Sequence, residues 1–148
     1  MATKSSVDQL NGYLRGELSA VETYRMALDK LDANSPARFE LESAKQSHMQ
    51  RVTLLKDAIM QLGGKPVEGS GPWGAFAKAV EGAARVFGDK AAIAALEEGE
   101  DHGLKDYKDG IEDKDLDAQS RSIVVTELLP EQQRTHGRLS ALKKQLSS

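Results

Sequence analysis

Apolar residues recur at every third or fourth position through most of this chain, and that spacing leaves the helix as the regular element it can build. Leu10, Leu14, Val21, Tyr24, Leu28 and Leu31 form the first stripe. Asp32-Ala33-Asn34-Ser35-Pro36 stops it, with Ser35 placed as an N-cap and Pro36 as the first residue of the next helix. The pattern resumes through Leu41, Ala44, His48, Val52, Leu55, Ile59 and Leu62, and Gly63-Gly64 ends it. Two helices, roughly 7–32 and 36–62, joined by a short turn make an antiparallel hairpin.

Lys65-Pro66-Val67-Glu68-Gly69-Ser70-Gly71-Pro72 is a Gly/Pro-rich loop. A short helix over 73–87 follows, carrying Trp73, Phe76, Val80, Val86 and Phe87 and expected to pack across the bundle. Gly88-Asp89 breaks it, and Asp89 is placed to cap a helix over 89–112 with Ile93, Leu96, Glu100, Leu104, Tyr107 and Ile111 on one stripe. After Asp113-Lys114-Asp115, a last helix over 116–146 presents Val124, Leu128, Gln132, Leu139, Leu142 and Leu146. Pro130 lies inside it and predicts a kink or a split. No strand-like alternation persists and no repeat is visible. Residues 1–148 therefore read as one all-α domain: two antiparallel hairpins forming a four-helix bundle, with a long crossover carrying a short extra helix between the second and third helices. One long connection of that kind is the ferritin-like arrangement.

Several function classes fall away on composition. With no cysteine there are no disulfides, thiolate metal sites or cysteine nucleophiles. A net charge of −3, from 20 basic and 23 acidic residues, gives no general attraction to nucleic acid or anionic lipid. Aromatics at 5% argue against a base-stacking surface. No apolar run approaches the roughly 18 residues a membrane span needs, and the first residues carry no apolar leader, so a cytoplasmic location is expected. Gly69-x-Gly71 lacks the rest of a phosphate loop, and no serine stands in an elbow motif.

Three runs carry a family likeness: Leu62-Gly63-Gly64-Lys65-Pro66, Leu96-Glu97-Glu98-Gly99-Glu100-Asp101-His102 leading to Tyr107, and Leu128-Leu129-Pro130-Glu131-Gln132-Gln133 followed by His136. With Leu10-Asn11 and Tyr24, their order resembles that in the ferritin-like bundle proteins of a bacterial domain family of unknown function, over nearly the whole chain. The resemblance implies a ferritin-like fold. It implies no activity, because members of that family generally lack an established one.

Ferritin-like metal sites take one Glu from each of two helices and a Glu-x-x-His pair from each of the other two, a donor set suited to iron or manganese. Glu17 and Glu100 sit on core stripes, and the second and fourth helices offer His48 and His136. Glu22, Glu97 and Glu131 are possible extra ligands. Neither Glu-x-x-His pair is intact, because Lys45 precedes His48 by three residues and Gln133 precedes His136. Folding the hairpins sets Glu17 level with Arg51, whose charge would replace a metal's and favours a metal-free polar core.

Three functions are compatible with these features. The first is a non-enzymatic ferritin-like bundle, acting in stress response or as an oligomeric scaffold. The second is a carboxylate-bridged di-iron or di-manganese protein that stores or oxidises metal through Glu17, His48, Glu100 and His136. The third is a helical protein–protein interaction module using the Trp73–Phe87 segment. Small bundles often assemble symmetrically, and a homodimer is the expected form.

Overall fold

The structure is a computed structural model that describes residues 2–71 and 74–147. It contains α1 (Ala2–Lys30), α2 (Arg38–Gln61), α3 (Gly74–Phe87), α4 (Asp89–Ile111), α5 (Ala118–Ile123), a π-helical turn (Val124–Leu128) and α6 (Leu129–Ser147). α1 and α2 form one antiparallel hairpin; α4 and the continuous α5–π–α6 run form the other. This is the ferritin-like four-helix bundle, with α3 on the crossover, packed against α1 and α4. Trp73, expected at the start of the short helix, lies outside the described residues. Among the described residues, no helix is long and apolar enough to cross a membrane.

Local chemistry explains the boundaries. Ser35 Oγ accepts from the Ala37 amide at 3.2 Å, so Ser35-Pro36 closes a turn and α2 begins two residues later than expected. At its other end Gly63 takes φ +79°, and the Gly64 amide returns to the Ile59 carbonyl at 3.0 Å. That is a glycine-dependent helix stop. Gly64 has a further reason to be glycine, since a Cβ there would meet Val7 Cγ1 at 2.7 Å. Asn11 on α1 then pins the crossover: its Nδ2 donates to the Lys65 carbonyl at 3.0 Å, and its Oδ1 accepts from the Val67 amide at 2.9 Å.

Two expectations are corrected at the start of α4 and the end of α3. The N-cap of α4 is Gly88, at φ +89°, and not Asp89, which is already helical. Val86 and Phe87 do not join the core; they are 66% and 77% exposed, while Ala77 and Val80 are the buried residues of α3. Pro130 neither splits nor ends its helix. The π-helical turn just before it lengthens the backbone spacing, with the Leu129 amide reaching the Val124 carbonyl, so the chain passes the missing proline N–H without a break.

The core is divided. One apolar cluster contains Tyr24, Leu28, Leu41, Ile93 and Leu139; the other contains Leu10, Leu14, Leu55, Ile59 and Leu128. Between them, at mid-height, each long helix contributes polar side chains.

Candidate functional site

Six residues from four helices make this polar layer: Glu17 from α1, His48 and Arg51 from α2, Glu100 from α4, and Gln132 and Thr135 from α6. None is more than 4% exposed. His48 is the bridge. Its Nδ1 faces Glu17 Oε1, and its Nε2 lies 2.7 Å from Glu100 Oε2. A ring with a carboxylate at each nitrogen donates from both and is therefore an imidazolium. Burial would lower the His48 pKa, but Glu17 and Glu100 override it, and the net direction is upward.

Arg51 closes the layer on the α2–α6 side. Its Nη1 donates to Gln132 Oε1 and, at 3.4 Å, to Glu17 Oε2. Its Nη2 donates to Ser47 Oγ at 3.0 Å and Thr135 Oγ1 at 2.9 Å. Ser47 in turn donates to Glu131 Oε2 at 2.7 Å, and the Glu131 carbonyl accepts from Arg51 Nη2 at 3.5 Å. Gly103 on α4 leaves room for this arrangement, because a Cβ there would meet Gln132 Nε2 at 2.6 Å.

The carboxylates are saturated. Glu100 Oε1 accepts from Thr135 at 2.6 Å and from Gln132 at 3.0 Å, and its Oε2 accepts from Tyr24 at 2.6 Å as well as from His48. Glu17 Oε2 accepts from the Tyr107 hydroxyl. Burial opposes ionisation at Glu100, yet His48, with bonds from Thr135 and Tyr24, brings it down to about 2. Glu17 is likewise lowered against burial by Arg51 and His48. Burial, then the carboxylate each faces, pushes the Tyr24 and Tyr107 phenols well up, so both remain donors. Two carboxylates, one imidazolium and one guanidinium thus sum to zero charge without any added ion.

His48-x-x-Arg51 and Gln132-x-x-Thr135 are i, i+3 pairs pointing inward from two helices, opposite a Glu on each of the other two. That is the layout of a ferritin-like dimetal site, with four of its six ligands exchanged. This donor set does not fit two divalent cations. The imidazole has no free nitrogen for a metal, and a guanidinium stands where a second histidine would ligate. Among the described residues, no group of three or more His, Cys, Asp or Glu side chains is arranged to hold a metal ion.

Residues 5–113 match the family described as Domain of unknown function (DUF2383). The chain belongs to that family. The matched stretch brings Glu17, His48, Arg51 and Glu100 of the DUF2383 chain, while Gln132 and Thr135 come from the helix beyond it. No curated protein matches the chain. Among solved structures it is similar to a dodecameric thioferritin, the bacterioferritin-related protein from Bacteroides fragilis. The two share 19% identity at a TM-score of 0.79, over 98% of this chain and 88% of the other, which shows the ferritin-like fold.

Of the four metal candidates, the DUF2383 bundle brings Glu17, His48 and Glu100 together. His136 is elsewhere: its Nε2 faces Asp101 Oδ1 toward the surface of the α4–α6 pair. The three further candidates are also engaged outside the cluster's centre. Glu22 is 3.4 Å from the Ser70 hydroxyl on the crossover, Glu97 accepts from Lys143 at 3.1 Å, and Glu131 accepts from Arg134 at 2.9 Å. Sequence reasoning missed Tyr24, Tyr107, Gln132 and Thr135 as partners of the ions. The position of Gln132 on the core stripe was the available signal, since a buried amide needs partners.

Proposed function

We propose that this chain is a ferritin-like bundle in which a self-neutralised ion cluster takes the place of a dimetal centre, and that its role is structural and non-enzymatic. One observation carries the reading: the His48 imidazolium and the Arg51 guanidinium supply, between Glu17 and Glu100, the positive charge that metal ions would bring. Metal analysis tests it. Protein loaded aerobically with Fe(II) or Mn(II) and then gel-filtered should retain far less than one equivalent per chain. The fourfold variant His48→Glu, Arg51→His, Gln132→Glu and Thr135→His restores both carboxylate–histidine pairs and should gain about two. Wild-type retention of about two equivalents, abolished by Glu100→Ala, would overturn the proposal.

The same reading includes assembly into a homo-oligomer. Phe39 and Phe87, 78% and 77% exposed, are large aromatic surfaces left in water by the isolated chain. The dodecameric relative lends support, and a dimer is the smallest closed form. Sedimentation velocity should show a species larger than one chain that Phe39→Ser with Phe87→Ser reduces to monomer. Monomeric wild-type protein at tens of micromolar, on the order of a weak dimer's dissociation constant, removes this part.

A further inference from the structure

Beside the ion cluster, α1 and α4 leave a cleft between them, lined by Gly12 and Gly16 on α1 and by Gly99 and Gly103 on α4. A Cβ at Gly12 or Gly16 would meet nothing within 4 Å, so the space before them is open. At Gly99 a Cβ would strike the Phe76 ring at 2.9 Å, and the glycine thereby admits Phe76 of α3 into the cleft wall. The cleft measures about 70 Å³. A single water needs roughly 10–15 Å³ in the same measure, so the space accepts the head and short stem of a small organic molecule.

Its wall has a definite chemistry. Tyr13, Tyr24, Phe76 and Tyr107 line it, and the Tyr13 and Tyr107 rings lie 4.9 Å apart, tilted by 56°. The charged lining is Glu17, Glu100 and Asp106 against the His48 imidazolium, with His102 beside Asp106 at the mouth. Arg51 is not among the lining residues, but at 3.4 Å from Glu17 Oε2 its charge still offsets that carboxylate. An occupant therefore meets aromatic side chains and, beyond the neutral cluster, the Asp106 carboxylate. The hydroxyl protons of Tyr24 and Tyr107 are committed to the carboxylates, which leaves lone pairs on the phenolic oxygens as acceptors.

We propose that the α1–α4 cleft is a binding site for a small organic ammonium ion with a short aliphatic stem. Aromatic side chains and the Asp106 carboxylate attract the cationic head, and the apolar wall covers the stem. An anion is opposed by Asp106. A bare metal ion finds the Glu17 and Glu100 oxygens already filled with hydrogen bonds.

Calorimetric titration of the full chain with n-butylammonium and with the near-isosteric neutral n-butanol tests this. The ammonium should bind about tenfold more tightly than the alcohol, the scale of a partly desolvated cation–π contact. Asp106→Asn should weaken the ammonium several-fold and leave the alcohol unchanged. Gly16→Leu places a side chain in the open cleft of a helix that tolerates leucine, and should abolish binding of both. Equal affinity for the two probes overturns the proposal, as does ammonium binding that survives Gly16→Leu in a variant with native circular dichroism. Should that variant fail to fold, unaltered ammonium affinity in Asp106→Asn overturns it equally.

Discussion

Arg51→Met should destabilise the bundle by about 3–5 kcal/mol, the loss expected when one partner is removed from a buried ion cluster. The volume change is small, so the effect comes from what the guanidinium leaves behind. Glu17 loses its arginine, and Gln132 Oε1, Ser47 Oγ and Thr135 Oγ1 each lose a donor on side chains that are buried. Arg51→Lys keeps the charge but presents one ammonium where a planar fork reached four side chains, and should fall between methionine and wild type. Urea unfolding followed by circular dichroism gives both values. A methionine variant within about 0.5 kcal/mol of wild type, the range of ordinary surface changes, would show that the cluster contributes no net stability.

The second large effect is on pH dependence, where the ions pull in opposite directions. Against burial, the His48 imidazolium and bonds from Thr135 and Tyr24 hold Glu100 down to about 2 from the ordinary 4.5, and Glu17 is shifted the same way. Their contribution is present above the unfolded value and is lost as pH falls through the folded one. For Glu100 this amounts to about 3 kcal/mol between pH 5 and pH 2, at 1.36 kcal/mol per unit. His48 is shifted upward from 6.5, so its contribution is complete below 6.5 and is lost as pH rises through the folded value. Tyr24 and Tyr107 stay protonated across this range. Stability should therefore peak in a window between about pH 4.5 and 6.5 and decline on both sides. Unfolding free energies measured from pH 2 to 9 check this. Replacing His48 with Gln should flatten the alkaline limb; an unchanged limb would assign the loss to another group.

The pattern of apolar residues carried the architecture, because four long stripes separated by Ser35-Pro36, Gly63-Gly64 and Gly88 allow few arrangements. Glu17 and Glu100 were legible for the same reason, being charges on stripes that otherwise read as core. The partners from α2 and α6 were harder. Anchoring a Glu-x-x-His template on the histidines put Lys45 before His48 and Gln133 before His136, whereas the inward pairs begin at His48 and at Gln132. His136 is one residue beyond Thr135, about 100° further round the helix, and that turn carries it from the core to Asp101. Val86 and Phe87 failed differently: apolar character alone names no burial partner, and α3 ends with both facing water.

The Asn11 clamp has a consequence for the order in which the halves come together. By holding Lys65 and Val67 against α1, it joins the first stretch of the crossover to the α1–α2 hairpin. The connection to α3 that remains then begins at Glu68 and not at the end of α2. A shorter tether loses less chain entropy on closing, although the gain grows only logarithmically and stays below about 1 kcal/mol. More tellingly, the clamp uses contacts local to the first hairpin, so it can be in place before α4 and α6 arrive. The second hairpin then docks from a fixed point of departure, which favours pairing within one chain over exchange of hairpins between two.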